Sequence, residues 1–353
     1  MISKENTPQI TTIIPTYKRP KLLVRAIKSV LNQTYHNLQV HVFDNASGDE
    51  TKETVLKISQ EDSRVVYHEH DENIGAVNNF NSGLKMVKSP YFSLLSDDNV
   101  LLPNFYEDAI LALKQNSEAI FFAGQTLRIT NDYQKISGSL DKWKPGFINP
   151  PMGLIHLMEK GIPIWEGVLF RRKVIEQVGF LDPENQSACD QDYMMRISRH
   201  HPFFISKKPC ALFFVHEESW SENRQLNVVL STLKLRTTPW LHDTDLSPEL
   251  RMRIKKVFNS RRNSSVQHFV FNQTIIGKNK EPLNTALKIL KTENDLSYRV
   301  ISLIKFAKYV SYNHLIHSAI SAMIKNYVQL KKKFIFLKGF RNYKENKYLT
   351  VKS

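Results

Sequence analysis

Residues 91–104 read YFSLLSDDNVLLPN. An apolar run, Tyr91 to Leu95, stops abruptly at Ser96, Asp97, Asp98 and Asn99, and Val100, Leu101 and Leu102 follow at once. The run reads as a buried strand with acids at its C-terminal end, where open α/β sheets build sites for charged ligands. Adjacent carboxylates repel and lose solvation unless water or a cation receives them. A hard divalent cation bridging to a diphosphate is a natural receiver. A solvated turn would explain an isolated pair as well, so the surrounding chain has to decide.

The flanking sequence repeats the pattern. Residues 10–14 are a β-branched strand ending at Pro15, and Pro20 opens a helix, a favoured first-turn position. Its apolar residues Leu22, Leu23, Ala26, Ile27, Val30 and Leu31 recur at three and four, so one face is buried. Residues 38–43 form a second strand, stopped by the turn Asp44-Asn45-Ala46-Ser47-Gly48-Asp49. Further strands are expected at 65–67, 91–95 and 120–123. This alternation implies an α/β fold, a mostly parallel, doubly wound sheet. The strand ends then share one edge: Pro15, Thr16, Tyr17, Lys18 and Arg19; Asp44 and Asn45; Asn73 and Gly75 with Asn78, Asn79 and Asn81; and Ser96 to Asn99. Each is a weak signal alone, and Asp44 or Asn73 could serve only as turn residues. Their convergence argues for a site.

Residues 124–163 read as irregular, a lid or binding loop. Order is expected to return with a short strand at 165–171 and a helix at 191–198. After about residue 221 the composition turns helical, with Ser247-Pro248-Glu249 as a helix start. His68 and His70 share one side of a strand, but no third ligand is near them in sequence, so a solvated strand end is the simpler reading.

The totals narrow the class. At 353 residues and 41% hydrophobic, the chain can bury a large core. Two cysteines, Cys189 and Cys210, cannot frame a disulfide fold and suggest a reducing compartment. The polar start MISKENTPQ has no apolar signal region, and no uninterrupted apolar run is long enough to span a bilayer. The net charge is +15, and residues 301–353 hold eleven Lys or Arg against one acid, Glu345. A basic tail with interleaved aromatics fits an anionic membrane surface at least as well as nucleic acid.

These motifs carry a resemblance. TTIIPTYKRPKLLVRAIKSVLNQTYHNLQVHVFDNASGDET, ENIGAVNNFNSGL, YFSLLSDDNVLLPN and GVLFRRKVIEQVGFLDPENQSACDQDYMMRISR are similar, in order and spacing, to the blocks of family 2 glycosyltransferases of the GT-A fold. The resemblance covers roughly residues 8 to 220. It implies transfer of a sugar, with inversion, from a nucleotide-diphosphate donor, most simply a UDP-sugar, to a hydroxyl of a glycan or lipid-linked acceptor in surface polysaccharide synthesis. Residue by residue, Pro15, Thr16, Tyr17 and Arg19 match positions around the nucleotide. Asp44 matches the acid that pairs with the base, and Asn73 and Asn81 match shapers of the nucleotide pocket. Asp98 matches the second acid of the Asp-x-Asp motif, the ligand of Mg²⁺ or Mn²⁺. Ser96 departs from the motif's first acid; a serine can still hydrogen-bond a ribose, and Asp97 can compensate. Asp190 matches the catalytic base and Asp192 a supporting acid. His216 falls where some relatives place a histidine near metal or diphosphate. Trp165 and Glu166 match a strand facing the acceptor.

The expected organisation is a catalytic domain at 1–222, with a nucleotide-sugar half (1–123) and an acceptor half (124–222), then a helical basic region at 223–353. The protein would work in the cytoplasm, docked through the basic region on the inner face of the membrane, and a homo-oligomer is compatible with the sequence. Three alternatives stay open: a catalytically impaired GT-A-like partner, a nucleic-acid binder using the tail, and a nucleotidyltransferase. The last is disfavoured by the absence of glycine after the first strand. Nucleic acid is disfavoured at the acidic sheet edge.

Overall fold

The computed structural model describes residues 10–215, 225–277, 279–292, 296–313 and 315–324. Strands β1 (Ile10–Thr16), β2 (Leu38–Asp44), β3 (Val65–Glu69) and β4 (Tyr91–Leu94) alternate with helices α1 (Pro20–Leu31), α2 (Thr51–Glu61) and α3 (Ala76–Met86). Then come β5 (Val100–Leu101), α4 (Phe105–Gln115), β6 (Phe121–Ile129), β7 (Lys135–Gly138), β8 (Gly146–Ile148) and α5 (Met152–Lys160). A 3-10 turn (Trp165–Gly167) leads into β9 (Val168–Arg171), α6 (Lys173–Val178), α7 (Cys189–His200) and β10 (Phe203–Phe214). The remaining helices are α8 (Leu226–Leu241), α9 (Pro248–Phe269), a π-helical stretch (Val270–Ile276), α10 (Glu281–Thr292) and α11 (Tyr298–Tyr312).

One sheet runs in the order β3-β2-β1-β4-β9-β6-β10-β5, with β7 on β6 and β8 on β10. The four strands β3-β2-β1-β4 are parallel, as the alternation requires. Beyond β4 the sheet is mixed, because β9 runs antiparallel to both β4 and β6. This reversal brings the start of β9 to the C-terminal end of β4, with Ser93 opposite Leu169.

The predicted face of α1 is the buried one: Leu23, Ala26, Ile27 and Val30 pack with Ile10, Ile14, Val40 and Val42 of the sheet. Another part of the core is aromatic. Phe121 stacks on Phe203 at 4.5 Å and Phe92 on Phe170 at 5.0 Å. Each fully buried Phe contributes about 2–3 kcal/mol of burial energy. Helix α3 lies close on β1 because residue 83 is glycine; a Cβ there would sit 2.4 Å from Ile13 Cγ2.

Residues 124–163, expected to be irregular, are largely ordered. Strand β6 continues to Ile129 with its buried Gln125 satisfied at both ends of the amide. Gln125 Nε2 donates to Asp141 Oδ1 at 2.8 Å, and Gln125 Oε1 accepts from Leu140 N at 2.8 Å. Helix α5 has no side-chain cap to announce it. The expected strand at 165–171 holds only from Val168, and α7 is longer than residues 191–198 at both ends. The predicted start of α9 is as read: Leu250 N donates to Ser247 Oγ.

The chain divides into two compact units, residues 1–222 with 235–254, and residues 223–234 with 255–353. The second has its own apolar cluster, including Leu226, Val266, Val270, Ile275, Leu283, Val300 and Ile304. No helix among the described residues is long and apolar enough to cross a membrane.

Candidate active site

The predicted strand ends meet in one hydrogen-bonded row. At the end of β1, Thr16 Oγ1 donates to Asp97 Oδ2 at 2.8 Å, which joins the first strand to the acidic loop after β4. Burial pushes the Asp97 carboxyl up to about 6, against the opposing pull of Thr16 and Arg19. The Arg19 guanidinium lies between the two acids, 3.2 Å from Asp98 Oδ2 and 3.5 Å from Asp97 Oδ1. A cation position is therefore already defined by these carboxylates. Arg25 braces the same loop from α1: it donates to the Asp98 carbonyl at 2.5 Å and stacks on Phe214, 3.9 Å from the ring centre.

Next to it, the end of β2 is a tightly made turn. Asp44 is buried, and its Oδ1 accepts from Ser47 N and Ser47 Oγ while Oδ2 accepts from Tyr67 OH. Three of its lone pairs are thus used inside the fold, and the turn it holds carries Lys18 as well, whose N–H donates to Ser47 Oγ. Asn73 Oδ1 accepts from Asn45 Nδ2 and from Gly75 N, which fastens the start of α3 to the end of β2. Gly75 has φ +81°, a left-handed conformation that glycine adopts without strain. Tyr17 stands out from this row, 41% exposed, with Lys18 Nζ over its ring at 5.2 Å from the centre. Pro15 is inside β1 rather than after it, paired in register with Phe43.

Asn81 has a different job from shaping a pocket. Both ends of its amide hold Leu181: Nδ2 donates to the carbonyl at 2.9 Å and Oδ1 accepts the N–H at 3.0 Å. Residue 181 leads into the loop before α7, so Asn81 fixes that loop to α3. Asp190 and Asp192 occupy the first turn of α7, where acids complement the helix dipole. Asp192 accepts from Arg196 Nε at 2.8 Å, and the same guanidinium donates to the carbonyls of Val178 and Phe180. Asp192 therefore supports the loop through Arg196. The neighbouring Cys189 is buried, which pushes its thiol up to about 12 and leaves it inert.

Trp165 packs on Phe80, ring centres 4.5 Å apart. Glu166, expected beside the acceptor, points instead at the acidic loop. Its Oε1 accepts from Ser96 Oγ and Asn99 Nδ2, both at 2.8 Å, and burial pushes its carboxyl up to about 7. Asn99 Oδ1 in turn accepts from Phe214 N at the end of β10. The sequence signal for this contact was present in Ser96 and Asn99 flanking the acids, but the partner lies about seventy residues away. His216 lies outside the described residues. His68 is not a solvated strand end: its Nε2 lies 3.1 Å from His41 Nδ1, and burial holds both imidazoles below their ordinary range.

Among the described residues no three His, Cys, Asp or Glu side chains converge as a complete metal site. Asp97 and Asp98 do offer paired hard oxygen donors on a position already filled by a cationic group. That donor set fits Mg²⁺ or Mn²⁺ held jointly with substrate phosphates.

Residues 11–179 match the sequence profile of Glycosyl transferase family 2. An uncharacterised glycosyltransferase of Haemophilus influenzae is 23% identical over 334 residues, covering 92% of this chain and 93% of that protein. The GalNAc(5)-diNAcBac-PP-undecaprenol beta-1,3-glucosyltransferase of Campylobacter jejuni is 35% identical over 96 residues, 27% of this chain and 31% of that one. The chain spans 41%, 34% and 46% of the length of three Rickettsia glycosyltransferases that it also matches. Among solved structures, S. aureus TarS 1-349 in complex with UDP-GlcNAc superposes with a TM-score of 0.60 at 14% identity, covering 90% of this chain and 92% of that one. Profile and relatives agree with the row of strand-end carboxylates: residues 11–179 form a glycosyl transferase family 2 domain, and the superposition gives the chain the GT-A fold.

Proposed function

We propose that the protein is an inverting transferase that moves a sugar from a nucleotide-diphosphate donor, a UDP-sugar, to a hydroxyl of a glycan or lipid-linked acceptor in surface polysaccharide synthesis. The observation that carries this is the Thr16–Asp97 bond with Arg19 set between Asp97 and Asp98. It gathers two strand ends into one anion-and-cation cradle at the sheet edge, suited to a diphosphate with its metal. Asp98 and Asp97 would hold a divalent cation, which when bound neutralises charge on the departing diphosphate. The turn held by Asp44, the Asn45–Asn73 pair and Tyr17 would receive the nucleoside. Arg19, 39% exposed at its side chain, is free to turn toward phosphate oxygens.

Asp190 takes the base role. Its carboxylate accepts the acceptor hydroxyl's proton as the new glycosidic bond forms and the bond to the diphosphate breaks. We assign the catalytic domain to residues 1–222, with donor residues before 124 and acceptor residues after. The UDP-GlcNAc bound by TarS and the undecaprenol-linked substrate in the name of the Campylobacter relative support a UDP-sugar and a lipid-linked acceptor. Thermal shift with UDP-, GDP- and dTDP-sugars tests the donor. UDP-sugars with Mn²⁺ should raise Tm and the other nucleotides should not; a saturating ligand at 100 times its Kd stabilises by about 2.7 kcal/mol. A GDP-sugar giving the larger shift would replace the donor assignment.

Membrane docking is assigned to the basic C-terminal region. Helix α11 buries Val300, Ile304, Ala307 and Val310 and exposes Tyr298, Lys305, Lys308, Tyr309 and Tyr312. Tyrosine and lysine on one exposed face match the chemistry of an anionic interface. Residues 325–353, which carry most of the remaining basic charge, lie outside the described residues. Full-length protein should float with phosphatidylserine vesicles. Lys305→Glu/Lys308→Glu together with Tyr309→Ser/Tyr312→Ser should lower the bound fraction several-fold, and unchanged flotation would remove α11 from the docking surface.

A further inference from the structure

The motif's first acid is missing at Ser96, yet a carboxylate stands directly behind that serine. Glu166 is fully buried. Its Oε1 accepts from Ser96 Oγ and Asn99 Nδ2, and its Oε2 is enclosed with no hydrogen-bond partner. A carboxyl buried in this way is costly, and a Gln or Met of similar volume would avoid the cost. Its seat is built with care. The next residue is Gly167, where a Cβ would meet Thr126 Oγ1 at 2.5 Å and the Gly124 carbonyl at 2.9 Å. The backbone at this point is pressed against β6, and the antiparallel pairing of β9 with β4 aims Glu166 at the motif.

The direction of the hydrogen bond matters. Because Ser96 Oγ donates its proton to Glu166, its lone pairs remain as acceptors. A serine polarised by an anion accepts a ligand hydroxyl more strongly than a free one. The carboxylate sits one side chain further back, in the 3-10 turn before β9, and is charged above the value of about 7 to which burial pushes it. We infer that Ser96 and Glu166 together replace the first carboxylate of the donor motif, Ser96 as the hydroxyl acceptor that touches the nucleotide's ribose and Glu166 as the positioning residue that supplies its charge. Asn99, bonded to Glu166 on one side and to Phe214 N on the other, fixes the couple in place.

This rests on the donor site assigned above, and the test separates the two. Binding of UDP with Mn²⁺ is measured by calorimetry at about pH 8.5, where Glu166 is ionised, and Tm checks folding, for four proteins besides the wild type. Asp98→Ala should lose binding whichever way the first acid is supplied; if it binds normally, the donor site itself is wrong. Glu166→Gln keeps an oxygen for Ser96 and Asn99 and removes only charge. It should weaken binding about tenfold, the scale of one charge-assisted hydrogen bond. Ser96→Asp in that background should restore binding to near wild type, because the carboxylate moves back to the motif. Ser96→Asp alone places a second carboxylate against the buried Glu166 and should lower Tm. The inference is overturned if Glu166→Gln binds like the wild type at unchanged Tm, or if Ser96→Asp fails to rescue it while Asp98→Ala has lost binding.

Discussion

Asp190→Asn is expected to lower the rate of sugar transfer by about 10³-fold, within the range that positioned proton acceptors contribute, while leaving donor affinity within a factor of two. The side chains are nearly isosteric, and the first turn of α7 is held by other contacts. Cys189, Tyr193, Met194 and Ile197 are buried, and Arg196 ties the helix to the carbonyls of Val178 and Phe180. An amide cannot take a hydroxyl proton, so the loss falls on the chemical step. Single-turnover transfer beside calorimetric UDP-sugar binding reads both quantities. A variant that transfers at the wild-type rate would send the base role elsewhere. One that loses binding and rate together would make Asp190 a structural residue.

Asp98→Ala should remove metal-supported donor binding by at least about 10²-fold, the scale of deleting one charged group that holds a cation against a diphosphate. The effect on folding should be small. Asp98 meets Arg19 at the surface side of the loop, where the arginine is 39% exposed, and exposed ion pairs contribute about 0–1 kcal/mol. The expected signature is an unchanged Tm without ligand and a Tm that no longer rises with UDP and Mn²⁺. Residual binding that ignores Mn²⁺ would show Arg19 acting as the cation in place of the metal.

Much of this site was readable in order along the chain, because parallel strands deliver their ends to one edge and turn residues mark those ends. Asp44, Asn45, Asn73, Asp97 and Asp98 follow from that rule alone. What could not be read is contact between segments far apart. Asn81 was placed in the nucleotide pocket through the resemblance of residues 72–84 to the family's second block. Only the fold shows its amide spent on Leu181, a hundred residues on. Glu166 was placed with the acceptor because it matches a strand that faces the acceptor in the family. The antiparallel entry of β9, which no periodicity announces, turns it to the donor motif. Gln125 hid half of β6, since a polar residue inside a strand looks like its end until its partners are known.

The clamp on Leu181 also bears on how such an enzyme changes. Asn81 grips the loop at its beginning, and Arg196 grips the residues just before it and the helix just after. Residues 182–188 are thus suspended between two fixed points that do not depend on their own side chains. Substitutions in that short stretch can reshape the loop without loosening the carboxylate that follows. Two fastenings thus give a lineage freedom to vary this loop while the helix behind it stays as it was.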